Sequence, residues 1–409
     1  MDTLIKLFTA YTNEEVIKTE RITGSGSNRQ YIRLIGSQTN CIGVIGESVQ
    51  ENEAFFYLAN HFENKELPVP KVYAISADRR CYIQQDVGKI SLFDVLSKRS
   101  RKKLFGFEEK GLLIETIRLL PHFQFKGADG LDFSRCFPVS DFDERSIYWD
   151  LNYFKYCFLK PSGIDFSEME LENDFAALSK KLLAQESNGF MYRDFQSRNV
   201  MINDKSVNFI DFQGGRRGPV YYDLASFVWQ AKADYSDEER NILIDNYLEE
   251  ASLFTKIDKR LFCQTLRHFV LFRTLQVLGV YGFRGYFEQK SHFLQSIPFA
   301  LKNIAGLLQE GFPEYPHLTE VLHELLDKLQ NTVKVKPSDL LVTVFSFSYK
   351  KGIPEDQSVH GGGFVFDCRA IHNPGRYDEY KELTGLDEPV RSEERRVGKE
   401  CRSRWSPYH

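Results

Sequence analysis

The feature that most restricts this chain is a pair of short stretches, FMYRDFQSRNVMI at residues 190–202 and FIDFQGG at residues 209–215. Each joins a polar loop to a short apolar run, and together they set Asp194, Asn199 and Asp211 at fixed intervals. The runs VMI and VNFI read as the two arms of an apolar hairpin. Such a hairpin holds Asn199 and Asp211 on opposite flanks of one edge, with Asp194 on the loop ahead of them. Two Asp-capped turns in an ordinary helical domain would account for any one of these residues. They do not account for three suitable residue types at these spacings.

Transfer of a phosphoryl group needs positioning, neutralisation of charge by a divalent cation, and a group near the acceptor hydroxyl. Magnesium takes hard oxygen ligands, usually one or two carboxylates completed by phosphate oxygens and water. Asp211 can offer a carboxylate, Asn199 an amide oxygen, and Asp194 is free to accept a proton. The pattern resembles the catalytic and metal-binding loops of the aminoglycoside phosphotransferase / choline kinase family, a branch of the protein-kinase-like fold. That resemblance implies ATP and Mg²⁺ as cofactors, Asp194 as catalytic base, and Asn199 and Asp211 as metal ligands. The family usually has His two residues before the base, where this chain has Tyr192. Downstream, DFQGGRRGPVYYDLASFV is most similar to the subgroup containing the anomeric N-acetylmuramate/N-acetylglucosamine kinases. There it implies Asp223 as a carboxylate that fixes a loop. The function implied is ATP-dependent phosphorylation of a sugar or amino-sugar hydroxyl, the anomeric one included.

Upstream, IKTERITG leads into GSGSNRQYIRLIG and then CIGVIGES, which read as two short apolar strands around a Gly/Ser/Asn turn. ENEAFFYLANHFEN reads as a helix with Ala54, Leu58 and Phe62 on one face. Two more strands follow, ELPVPKVYAIS and RRCYIQQDVG, and then a helix capped by Ser91. The remainder is helical, including SDEERNILIDNYLEEASL at residues 236–253, which opens on Ser236 with acids in its first turn, and an amphipathic stretch at 259–281, so the expectation is an α+β, bilobal, kinase-like chain. Residues 1–86 form the sheet lobe and residues 87–332 a larger helical lobe. Gly24, Ser25, Gly26 and Ser27 form a candidate loop over nucleotide phosphates, because Gly and Ser let backbone N–H groups approach an anion. Kinases of this fold carry a third-strand lysine for the α/β-phosphates, and CIGVIGES has none. Arg29 or Arg33 could supply a guanidinium fork instead. Glu53 falls where the lysine's usual partner would be. In FDERSIYWDLNYFKYCF, residues 142–158, acids alternate with aromatics, and by resemblance to the subgroup's substrate-binding helix Asp150 is the candidate contact to a sugar hydroxyl.

Residues 333–339 read as a linker, after which the pattern turns to β. SFSYKKGIP, FVFDCR followed by NP, and TGLDEPV resemble the first half of the C-terminal domain of the RNase adapter protein RapZ, over residues 340–390. This implies an α/β domain whose ligands are phosphorylated amino sugars or, in some members, a regulatory RNA. Residues 391–409, RSEERRVGKECRSRWSPYH, resemble an in-frame translation of a sequencing-library adapter. They are set aside as a disordered, artefactual tail, with the true chain expected to continue past Val390. The seven scattered cysteines lack any CxxC pair, which argues for reduced thiols rather than disulfides or zinc. A net charge of −4 carries no global nucleic-acid signature. No run of eighteen apolar residues indicates a membrane span, and the N-terminus has no signal-peptide pattern, so a cytoplasmic protein is expected. A second class of function, a non-catalytic regulatory protein that senses nucleotide or sugar phosphate or binds RNA, is favoured by the missing lysine.

Overall fold

The computed structural model describes residues 1–22, 29–97, 106–203, 206–332, 377–380 and 389. The chain divides into two compact units, Met1–Lys334 and Val335–His409. In the second unit the described residues amount to little more than a 3₁₀ turn at Asp378–Tyr380. The linker, the body of the RapZ-like segment and the 391–409 tail therefore lie outside the described residues.

The first unit opens with a helix that the strand-based reading of the N-terminus did not anticipate, α1 (Asp2–Thr12). Leu4 and Phe8 lie four residues apart, so they share one helical face, and both are fully buried. They pack on Ile32, Leu34, Cys41 and Ile83 of the sheet that follows. That sheet contains β1 (Lys18–Ile22), β2 (Gln30–Ile35), β3 (Asn40–Ile45), β4 (Val72–Ile75) and β5 (Cys81–Gln85), in the antiparallel order β1-β2-β3-β5-β4. Three strands, rather than two, precede the first lobe helix, α2 (Val49–Asn64). Gly43 lets α1 lie close, since a Cβ there would sit 2.9 Å from a Leu4 methyl. The opposite face of the sheet carries Ile42, Val44 and Tyr82, which join the main core with Phe55, Phe56, Leu58 and Phe62 of α2. Alternation along each strand thus divides its side chains between α1 and α2.

Past β6 (Ile90–Ser91) the chain becomes mostly helical, as expected. Its helices are α3 (Leu92–Ser97), α4 (Phe107–Pro121), α5 (Glu144–Phe154) and α6 (Glu168–Leu183). After the strands described next come α7 (Tyr221–Val228), α8 (Asp237–Ala251), α9 (Lys259–Gly282), α10 (Ser291–Leu294), α11 (Ile297–Leu308) and α12 (Pro316–Thr332). Ser236 caps α8 as its sequence suggests, its hydroxyl accepting from Glu239 N–H while the Glu239 carboxylate accepts from Ser236 N–H. The 24-residue α9 packs against α5, α7 and α11 and buries Phe269, Phe272 and Leu275. Gly279 permits the close crossing with α5, because a Cβ there would lie 2.7 Å from the backbone nitrogen of Phe154.

Two small ladders position the polar loops. β7 (Gly189–Met191) pairs with β10 (Arg216–Gly218). The hairpin read from sequence is present as β8 (Val200–Asn203) and β9 (Ser206–Phe209), registered Val200↔Phe209 and Ile202↔Val207. Beneath them lies an aromatic cluster of Phe62, Phe123, Phe190, Tyr192, Phe195, Phe209, Phe212 and Phe227, all nearly or fully buried. Each such ring is worth roughly 1.5–3 kcal/mol of transfer free energy, so the loops rest on a rigid floor.

Candidate active site

Strand β7 delivers the chain to Tyr192, Arg193 and Asp194, and two contacts shape that loop. The fully buried carboxylate of Asp223, on α7, accepts the backbone N–H groups of Tyr192 at 2.7 Å and Arg193 at 2.9 Å. The Tyr192 hydroxyl donates to the carbonyl of Ile210 at 2.6 Å, which ties the loop before β8 to the loop after β9. Tyr192, standing where the resembled family has His, is thus a structural strut within the aromatic floor. Arg193 and Asp211 both adopt left-handed backbone conformations, with φ of 78° and 69°. For side-chain-bearing residues that costs of order 1–3 kcal/mol each and persists only where the surroundings enforce it. Here Asp223 holds the first of them.

Asp194, Asn199 and Asp211 come together at the end of this scaffold. The amide nitrogen of Asn199 donates to the Asp194 carbonyl at 2.8 Å and lies 3.4 Å from Asp211 Oδ2. With its nitrogen so used, Asn199 has its amide oxygen left to offer a ligand. Asp211 Oδ1 accepts from Gln213 at 2.8 Å. Burial, and after it the negative charge of Asp194, raises the Asp211 carboxyl above its ordinary value. A buried carboxylate beside another carboxylate and an amide oxygen is a donor set that a hard cation would relieve. Among the described residues no group of three or more His, Cys, Asp or Glu side chains forms a metal cage. One carboxylate with an amide oxygen is the kind of hard-oxygen pair that suits Mg²⁺, which takes much of its coordination from phosphate and water.

The Asp194 carboxylate is half exposed. Gln196 Nε2 lies 3.5 Å from its Oδ1, and Arg273 Nη2 lies 4.0 Å from the same atom. Both residues line a small open pocket of about 40 Å³, walled also by Trp229, Thr274 and Tyr281. The Arg273 guanidinium is buried, held by the Ser226 hydroxyl at 3.1 Å and by Gln276, with its plane near the Tyr222 ring. Sequence reading missed this wall. Its signal was an arginine in the apolar run FVLFRTLQVL of α9.

Asp150, expected to meet a sugar hydroxyl, is 8% exposed and turned toward Arg193. Both of its oxygens accept from Arg193 Nη2, at 2.9 and 2.7 Å. Its visible role is to hold the arginine next to Asp194. Gly24, Ser25, Gly26 and Ser27 lie outside the described residues. Arg33 is spent on the segment between β5 and β6, donating to Asp86 and, at 2.8 Å, to the Gly88 carbonyl. Arg29 is buried between sheet and α2, 3.3 Å from Glu51. Glu53 faces solvent and pairs with Arg79.

Residues 126–258 match the phosphotransferase enzyme family, and residues 340–397 match the RapZ C-terminal domain, running past Val390. The chain is 25% identical over 265 residues to an N-acetylmuramate/N-acetylglucosamine kinase of Neisseria meningitidis, covering 63% of this chain and 75% of that protein. It is 24% identical over 336 residues to a protein of the same description from Pseudomonas aeruginosa, covering 79% of this chain and 93% of the other. In fold it is similar to a choline kinase from Cryptosporidium parvum, with a TM-score of 0.52 and 14% identity over 77% of this chain and 94% of that one. No helix among the described residues is long and apolar enough to cross a membrane. The chain contains a phosphotransferase enzyme family domain followed by RapZ C-terminal domain sequence, and is a phosphotransferase with an alcohol group as acceptor.

Proposed function

We propose that the protein phosphorylates a hydroxyl of a sugar or amino sugar, the anomeric hydroxyl of an N-acetylated hexosamine foremost, with ATP as donor. The observation that carries this reading is the Asn199 bridge between the Asp194 carbonyl and the Asp211 carboxylate. It couples a half-exposed carboxylate to a hard-oxygen donor pair in one rigid unit.

Bound Mg²⁺ with ATP would supply the phosphoryl group and neutralise charge on its oxygens. Asn199 Oδ1 and the Asp211 carboxylate are the residues to hold the metal. Asp194 accepts the proton of the attacking hydroxyl at its open carboxylate edge. Gln196 and Arg273 border that edge, and Trp229 and Tyr281 add aromatic residues, of the kind on which a pyranose packs, to the same wall. The two N-acetylmuramate/N-acetylglucosamine kinase relatives support the acceptor class. The RapZ C-terminal sequence favours a second, accompanying reading, in which that segment senses a sugar phosphate or an RNA.

The test is turnover by the full chain of ATP with Mg²⁺ and a panel of N-acetylated hexosamines, followed by ³¹P NMR. A sugar 1-phosphate resonance that disappears with Asp194→Ala is the expected result. No product on any sugar, or equal product from the Asp194→Ala variant, overturns the proposal.

A further inference from the structure

Nothing on β3 can supply the cation that kinases of this fold place on their third strand. Of its residues, Cys41 packs on the α1 side and Ile45 flanks that cluster, while the side chains turned toward α2 are Ile42 and Val44. Val44 is fully buried and pairs with Tyr31 on one neighbouring strand and Tyr82 on the other. The guanidinium of Arg29 lies in this region, between Tyr82 and α2. Its Nη1 is 3.5 Å from the Tyr82 hydroxyl, its Nη2 is 3.3 Å from Glu51 Oε1, and its Cζ is 5.7 Å from the centre of the Phe55 ring.

Glu51 stands in the first turn of α2. Gln213 Nε2 reaches both Glu51 Oε1, at 3.5 Å, and Asp211 Oδ1, at 2.8 Å. A line of polar groups thus runs from Arg29 through Glu51 and Gln213 to Asp211. Residues two apart on a helix point about 200° apart. Glu51 and Glu53 therefore cannot share a face, and the exposed Glu53–Arg79 pair lies away from this line. Between them Asn52 is fully buried and donates to the Gly46 and Arg79 carbonyls, which fixes the rotation of α2. Arg33 is no rival, its donors being taken by Asp86 and Gly88.

We propose that Arg29, held by Glu51, replaces the third-strand lysine as the cation for the nucleotide phosphates, and that Gln213 couples this pair to Asp211. The inference rests on the kinase reading above. A guanidinium entering from the strand before β3 reaches the position that a lysine ammonium would take from β3 itself. Its fork can engage two phosphate oxygens where an ammonium acts as a point charge.

The experiment measures Mg·ADP binding to the full chain by calorimetry, with no acceptor present, alongside KM values for ATP and sugar. Arg29→Met is expected to weaken Mg·ADP roughly tenfold or more and to raise KM for ATP while leaving KM for the sugar unchanged. Glu51→Gln is expected to weaken binding less, and the double variant to lose less than the product of the two single losses. Glu53→Gln should bind within about twofold of the parent, as expected for an exposed pair. If Arg29→Met melts too early to be measured, Glu51→Gln tests the same pair from its other side. Parent-like Mg·ADP affinity in Arg29→Met, or in Glu51→Gln where that variant is the one measured, overturns the inference. So does a weakening by Glu53→Gln equal to that of Glu51→Gln. Failure of the unaltered protein to bind Mg·ADP would instead overturn the kinase reading.

Discussion

Asp150 and Arg193 form a buried ion pair in which both carboxylate oxygens accept from one guanidinium nitrogen, at 2.9 and 2.7 Å. Arg193 also lies near the Tyr222 ring and precedes Asp194 in the chain. The pair therefore clamps α5 to the loop that presents Asp194, and removing one partner leaves the other charge buried without compensation.

Asp150→Asn should lower kcat by about 10²-fold, since small misplacements of a reacting group carry losses of that order. KM for the sugar should stay within about threefold, because Asp150 acts through Arg193. Steady-state kinetics on the sugar used in the turnover assay check this. A rise in sugar KM with kcat retained would return Asp150 to the acceptor-binding role expected from its sequence position.

Tyr192→Phe removes only the hydroxyl that donates to Ile210. The partly buried Ile210 carbonyl then loses its donor, at a cost of about 0.5–1.5 kcal/mol. Thermal melts should show a lower Tm, with the aromatic floor intact and the substrate KM values little changed. An unchanged Tm would mean that the loops around β8 and β9 are held by Asp223 and Asn199 without the hydroxyl's help.

Asp223 makes stability depend on pH with a definite sign. Burial pushes its carboxyl up to about 7 from an ordinary 3.8, against the lowering effect of the two N–H donors. The folded state thus retains a proton that the unfolded state releases. This contribution is full below about 3.8 and is lost as pH rises through about 7. Glu14 behaves oppositely, since bonds from Thr39, Gln38 and Ser37 hold its carboxyl at about 2. Its contribution is present above 4.5 and disappears as pH falls through about 2, so the two windows overlap only between 3.8 and 4.5. Urea melts between pH 4 and 8 should give a declining stability component that Asp223→Asn removes. A flat profile for the unaltered protein would contradict it.

The parts of the site that could be read in advance are those written locally. Asp194, Asn199 and Asp211 stand within one loop and one hairpin, so spacing and apolar alternation were enough to bring them to one edge. The Ser236 cap and the extents of α8 and α9 were legible for the same reason. The docking of α1 was not, because Leu4 and Phe8 acquire meaning only against strands formed later in the chain. Glu53 is a plausible partner by position, yet the rotation of α2 sets Glu51 beside Arg29 and Glu53 beside Arg79.

By itself the sequence determined the α+β order, the catalytic-type loop and its hairpin, because those depend on short-range periodicity and residue type. Tertiary structure alone decided what Asp150 pairs with, that Arg29 rather than Arg33 lies beside Glu51, and that Arg273 of α9 borders Asp194. Each of these joins side chains far apart along the chain, 43 positions in the case of Asp150 and Arg193. Their meeting depends on helix rotation and core packing, which no local pattern encodes.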